Sequence, residues 1–155
     1  MDDATVGTVA WSNPDNAKVS DNVYATASYT TTTHYLKATN FGFTIPEGAT
    51  INGIIVEVEK KCSTTGETDA LDFYIKIIKS NGTYGTQNKA TSAAWPTSDT
   101  YSSYGANNDL WNESWESSDI NDIDFGIGIS ADDEGPFGTT TAYVDHIRIT
   151  VYYTN

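Results

Sequence analysis

Histidine is the residue type best suited to acid–base or nucleophilic catalysis, and this chain has two, His34 and His146. His34 adjoins a run of threonines, and His146 lies in the last apolar run of the chain. Asp145 directly precedes His146, so in a strand the two side chains point to opposite faces and form no local dyad. No nucleophile-elbow motif accompanies either histidine. We therefore expect surface or packing roles for both.

The chain has 21 acidic residues, but no pair of them has a spacing that singles it out for acid–base catalysis. Glycoside hydrolysis needs two carboxylates at a defined separation, one of them with a raised pKa. A chain with this many acids contains some pair at any given spacing by chance. The sequence therefore predicts a protein that is not an enzyme.

Calcium is the one cofactor for which the sequence offers ligands. Asp132, Asp133 and Glu134 supply hard oxygens on a turn, and a second acidic cluster comprises Asp119, Asn121, Asp122 and Asp124. Acidic loops of β-sandwiches can provide the roughly six to eight oxygens that calcium takes. No EF-hand spacing is present. A solvated acidic turn is therefore the preferred interpretation, with calcium at Asp132, Asp133 and Glu134 as the alternative.

Aromatic residues cluster in an irregular polar stretch, residues 83–118, and one more tryptophan lies near the N-terminus. The candidates for binding are Trp11, Trp95, Tyr101, Tyr104, Trp111 and Trp115. Such rings can stack on sugars, because each has a flat apolar face and a polar tip. They can equally plug the ends of a sandwich or anchor a subunit interface. The sequence leaves these interpretations open.

The net charge of −13 restricts the kinds of partner. It disfavours phosphate backbones and anionic lipid, so we expect neither a nucleic-acid nor a membrane partner. Met1 is followed by two aspartates and no apolar h-region, so we expect no signal peptide. Cys62 is the only cysteine, which excludes an intrachain disulfide framework.

Alternating apolar residues predict the strands that must position these side chains. The central segment, residues 41–61, places Ile54, Val56 and Val58 on one face and carboxylates on the other. Three further odd-numbered runs are expected to face the core: Leu71, Phe73, Ile75 and Ile77; Phe125, Ile127 and Ile129; Ile147, Ile149 and Val151. Val144 and His146 are expected to point outward.

This pattern predicts about eight antiparallel strands and no convincing helix. The fold class is all-β, a single-domain, jelly-roll-like β-sandwich over residues 12–155. Residues 1–11 form an N-terminal arm or edge strand. Because long structureless loops are uncommon in compact domains, residues 83–118 are expected to contain short strands.

Several phrases of the sequence together resemble a β-sandwich module found in tailed-phage virion proteins and in large prokaryotic surface proteins. They are WSNPDNA at residues 11–17, DNVYA at 21–25, LKATNFGFTIP at 36–46, INGI at 51–54 and VDHIRITVYY at 144–153. The resemblance covers most of the chain and brings no catalytic motif.

The resemblance implies a structural protein outside a phage particle, such as a capsid decoration or fibre-like protein at the virion surface. Its expected partners are a major capsid or other virion protein and further copies of itself, because repeated subunits form closed symmetric assemblies by default. The alternative is a carbohydrate-binding or adhesion module of a virion or cell surface, with a surface glycan as partner.

Overall fold

The computed structural model of the protein describes residues 1–63, 70–133 and 139–155. The strands in these ranges are β1 (Asp2–Asp3), β2 (Ala25–Tyr29), β3 (Tyr35–Thr39), β4 (Thr50–Cys62), β5 (Ala70–Ile78), β6 (Thr100–Ala106), β7 (Gly126–Asp133) and β8 (Thr140–Thr154). A 3-10 helix spans Pro14–Ala17 and a short α-helix, α1, spans Ser117–Asn121. Within the described ranges, no helix has the length and apolar character needed to cross a membrane.

The strands pair into two antiparallel sheets, which confirms the predicted all-β sandwich. The first sheet has the order β1-β3-β7-β5, and the second has the order β2-β8-β4-β6. From β2 onward each strand lies in the sheet opposite to its predecessor, as in a jelly roll. β4 and β8 form the longest pair, from Thr50 opposite Thr154 to Cys62 opposite Ala142.

The core lies between the two sheets, where most of the predicted apolar runs meet. Ile54, Val56 and Val58 of β4 are fully buried, as their alternation predicts. A second group of predicted core residues is also buried: Ile75, Ile77, Phe125, Ile127, Ile129 and Ile147.

A β-bulge reverses the predicted side-chain directions at the start of β5. Leu71 and Phe73 were expected in the core but are partly exposed, whereas Ala70 and Asp72 are buried. The register of β5 against β7 shifts between Asp72 and Tyr74. One extra residue in a strand exchanges its two faces, so the alternation changes phase at this point.

A second bulge reverses the side-chain directions in β8. Opposite β8, Glu59 pairs with His146 but Lys60 pairs with Val144, so Asp145 is the extra residue. Val144 is consequently buried, which corrects the prediction that it points outward. The carboxylate of Asp145 accepts hydrogen bonds from the backbone N–H groups of Asp21 (3.3 Å) and Asn22 (3.0 Å).

Candidate ligand-binding pocket

Four of the six aromatic candidates are core residues. Their exposed fractions are small: 4% for Trp11, 2% for Trp95, 4% for Tyr104 and 0% for Trp111. The indole N–H of Trp11 donates to the carbonyl of His34 (2.9 Å), and that of Trp111 donates to the carbonyl of Ile54 (3.0 Å). Because their ring faces are enclosed by the protein, these four side chains offer no surface for a sugar or a partner. For them, the packing interpretation replaces the binding one.

Tyr101 is partly exposed on the outer face of the second sheet. The guanidinium of Arg148 lies 4.2 Å from its ring centroid, and its hydroxyl is 2.9 Å from Nδ1 of His146. Arg148 also donates two hydrogen bonds to Glu57, at 2.7 and 2.9 Å. One face of the Tyr101 ring is therefore already covered by a cation that is itself held in place.

Trp115 is partly exposed and lines an open pocket of about 860 Å³. We call this the Trp115 pocket; it is lined by residues 45, 47–51, 110, 114–118 and 121. The pocket lies where the chain leading into β4 meets the loop before α1 and α1 itself. Its volume is within the range of roughly 300–1,000 Å³ that small-molecule sites occupy.

The indole of Trp115 is held from two sides. Its N–H donates to the carbonyl of Leu110 at 2.9 Å, and its ring packs edge-on against Phe125 with a centroid separation of 5.4 Å. An aromatic ring fixed in this way loses little side-chain entropy when a ligand binds.

The loop that carries Trp115 is anchored by the buried Trp111. Trp111 and Asn112 both have positive φ, 59° and 55°, so the chain turns sharply after the anchor. The carboxylate of Asp109 accepts from the backbone N–H of Trp111 (2.8 Å) and from the ammonium of Lys89 (2.6 Å). Burial alone would raise the pKa of Asp109, but these two hydrogen bonds outweigh it and hold that pKa below its usual value.

Asn121 joins α1 to the chain leading into β4, and both segments line the pocket. Its side-chain amide accepts from the backbone N–H of Ile45 (2.8 Å) and donates to the carbonyl of the same residue (2.9 Å). Asp119 accepts from the backbone N–H of Glu116 (3.0 Å) and from the hydroxyl of Ser80 (2.6 Å). The segments that line the pocket are therefore held by hydrogen bonds within the protein.

Besides the Asn121 amide, which is bonded to Ile45, the polar side chains around the pocket carry hydroxyls and carboxylates. Ser114 and Ser118 are exposed, and so are Glu47 and Glu116. Carboxylates and hydroxyls accept hydrogen bonds from sugar hydroxyls, and an indole face packs against the C–H face of a pyranose. The two carboxylates repel anions. The pocket thus suits a neutral, polyhydroxylated ligand.

Several of the acidic residues considered for calcium have other partners. In the second cluster, Asp119 and Asn121 hold the pocket wall, and Asp122 accepts from the backbone N–H of Asp124 (2.8 Å). Asp132 accepts from the hydroxyl of Thr32 (3.2 Å), while Glu134 lies outside the described residues. In the described ranges, no three His, Cys, Asp or Glu side chains converge as metal ligands. Calcium at Asp132, Asp133 and Glu134 stays a prediction.

Sequence reasoning missed a buried charged pair, Lys60 and Asp72, whose side chains are 4% and 0% exposed. Lys60 continues the even-numbered run of Ile54, Val56 and Val58, so the alternation itself carried the signal. Asp72 reaches the core only because of the bulge in β5. Burial lowers the pKa of the Lys60 ammonium, against the opposing effect of Asp72.

Comparisons with known proteins establish no family for this chain. No family model matches it, and no curated protein matches it. A solved structure entitled "CBM4 structure and function" aligns with a TM-score of 0.44 and 14% sequence identity, covering 95% of this chain and 90% of that chain. At this TM-score the likeness supports no statement about function.

Proposed function

We propose that this protein is a carbohydrate-binding module that holds a neutral glycan in the Trp115 pocket. One observation carries the proposal: of the six predicted aromatic candidates, Trp115 is the one that lines this pocket. Its ring is partly exposed and already oriented by Leu110 and Phe125. An oriented indole beside hydroxyls and carboxylates is the arrangement that binds the apolar face and the hydroxyl edge of a sugar together.

Intrinsic tryptophan fluorescence tests this proposal. Because the other three tryptophans are at most 4% exposed, a ligand-dependent change in emission reports Trp115. We would titrate the protein with neutral hexose and pentose oligosaccharides and, for comparison, with oligouronates of the same length. The proposal expects saturable changes with neutral oligomers and none with the anionic ones.

Matched variants locate the binding. Trp115→Ala should weaken binding about 10-fold or more, equivalent to about 1.4 kcal/mol, whereas Trp115→Phe should retain part of it. Tyr101→Ala is the control, because Tyr101 is also aromatic and partly exposed but is not among the residues that line the pocket. Absence of binding across a broad glycan array, or equal losses in the Trp115 and Tyr101 variants, would rule the proposal out.

The role at a virion surface stays a prediction from the sequence resemblance. The same holds for a capsid partner and for self-association. Light scattering of the purified protein and cosedimentation with phage particles test these predictions independently of glycan binding.

A further inference from the structure

The Lys60–Asp72 pair joins the two sheets through the core. Lys60 belongs to β4 of the second sheet and Asp72 to β5 of the first, and the ammonium is in direct contact with Oδ1 of the carboxylate. Two aromatic rings flank the ammonium: its distance to the ring centroid is 4.3 Å for Trp95 and 5.3 Å for Tyr104. A buried lysine amine next to a buried carboxyl group, away from water, is a nucleophile beside an electrophile.

Hydrogen bonds give the two oxygens of Asp72 different surroundings. Oδ1 accepts from the indole N–H of Trp95 at 2.9 Å. Oδ2 accepts from the hydroxyl of Tyr104 at 2.8 Å and from the hydroxyl and backbone N–H of Thr91, at 3.2 and 3.3 Å. The Tyr104 hydroxyl also accepts from the Lys60 ammonium at 2.6 Å. Tyr104 therefore lies between the nitrogen and Oδ2.

We propose that Lys60 and Asp72 condense into an amide, an intramolecular isopeptide cross-link between the two sheets. The ammonium first transfers a proton through the Tyr104 hydroxyl to Oδ2 of the carboxylate, which leaves a neutral amine and a neutral acid. The amine attacks Cγ of Asp72, and a C–N bond forms. The nitrogen then loses a second proton, Oδ2 leaves as water, and Oδ1 remains as the amide oxygen.

Each neighbour of the pair has a place in this reaction. The N–H of Trp95 stabilises negative charge on Oδ1 in the tetrahedral intermediate. Tyr104 accepts a proton from nitrogen and donates its own to Oδ2, so it carries no net charge at any stage. Burial supports both requirements: it lowers the pKa of Lys60, which favours the amine, and raises that of Tyr104, which keeps the phenol protonated. Thr91 is exposed at the Oδ2 side, where the water departs.

The chain contains a matched set of the same groups outside the core. Lys61 contacts the hydroxyl of Tyr24 at 2.7 Å, this hydroxyl donates to Asp99 at 2.8 Å, and the Lys61 ammonium is 3.1 Å from the same carboxylate. The side chains of Lys61 and Asp99 are both 23% exposed. Hydrogen bonding to Tyr24 raises the pKa of Lys61, so its amine stays protonated. We expect no amide between Lys61 and Asp99, because these side chains are partly exposed whereas those of Lys60 and Asp72 are buried.

Mass spectrometry of the purified protein tests the cross-link. The proposal expects an intact mass below the sequence mass by one water, about 18 Da. Trypsin should yield a branched peptide in which residues 38–61 are joined to residues 62–76, with no cleavage after Lys60. The variants Lys60→Met and Asp72→Ala should each show their own full sequence mass. A wild-type protein that retains its full mass and releases peptide 38–60 unlinked overturns the proposal, as does a link at Lys61 or Asp99.

The variant Tyr104→Phe tests the proton relay. It removes the hydroxyl and keeps the ring that packs beside Lys60. In freshly translated protein from a cell-free system, the cross-linked fraction should rise at least about 10-fold more slowly than in the matched control Tyr24→Phe. Equal rates in the two variants overturn the role of Tyr104. Linked peptide in Tyr104→Phe at long times confirms that the variant folds and that Lys60 and Asp72 react without the relay.

Discussion

Lys60 and Lys61 are consecutive residues of β4, and their ammonium groups lie on opposite faces of the second sheet. Lys60 is buried against Asp72, Trp95 and Tyr104, whereas Lys61 is partly exposed beside Tyr24 and Asp99. The two-residue period of a strand separates them. Substitutions at the two positions should therefore have very different consequences.

Removal of Asp72 should be the most damaging change in the buried cluster. Neither variant can form the amide, so both are compared with the protein in which it has not yet formed. Relative to that state, Asp72→Ala leaves the Lys60 ammonium in the core without its carboxylate, which should cost about 3–5 kcal/mol in the free energy of unfolding. Lys60→Met should cost less, about 1–3 kcal/mol, because Asp72 keeps its hydrogen bonds from Trp95, Tyr104 and Thr91. Urea unfolding measures both. Losses of equal size would contradict this ranking.

The two tryptophans of the loop before α1 should separate stability from binding. Trp111→Ala should cost about 3–5 kcal/mol, because the ring is fully buried and the carbonyl of Ile54 loses its donor. Trp115→Ala should cost about 1–2 kcal/mol, since its ring is partly exposed. Chemical denaturation gives both values. A Trp115 variant as unstable as the Trp111 variant would contradict the assignment of Trp115 to the pocket wall.

The anchoring loop should weaken in acid because of Asp109. The pKa of Asp109 is lower in the folded protein than its ordinary value of 3.8, so the folded state favours the carboxylate. The resulting stabilisation is fully present above the unfolded pKa and disappears as the pH falls through the folded one. Thermal unfolding between pH 6 and pH 2 should show this loss. Asp109→Asn should be less stable at neutral pH, and its stability should depend less on pH across the same range.

Gly105 and Gly42 offer a matched pair of glycines with positive φ, 84° and 73°. A Cβ at Gly105 would lie 2.2 Å from the carbonyl oxygen of Ile54, whereas a Cβ at Gly42 would meet no atom within 4 Å apart from the adjacent residues. Both alanine variants should lose about 1–2 kcal/mol to left-handed backbone strain. Gly105→Ala should lose at least about 2 kcal/mol more through the clash. Similar melting temperatures for the two variants would contradict this expectation.

The candidate pocket could be predicted only in part. The abundance of aromatic residues in the stretch 83–118 singled out Trp115 together with Trp95, Tyr104 and Trp111, which are core residues. The sequence does not distinguish an exposed tryptophan from a buried one in an irregular loop. Such a loop lacks the regular alternation of inward and outward side chains that a strand has. The pocket also needs the turn before β4, which is far from Trp115 in sequence.

The amino-acid sequence by itself determined that the chain forms a β-sandwich and that the alternating apolar residues of β4 and β7 face its core. Alternation over β4 and β7 is enough for that, since burial of one face fixes the register of a strand. Only the tertiary structure decided where the alternation changes phase, at the bulges near Phe73 and at Asp145. A bulge depends on the neighbouring strand of the same sheet. The contact of Asp72 with Lys60 depends on the bulge in β5 and on the packing of one sheet against the other. The contact between Asp72 and Lys60 joins residues of opposite sheets, and no local pattern in either strand records it.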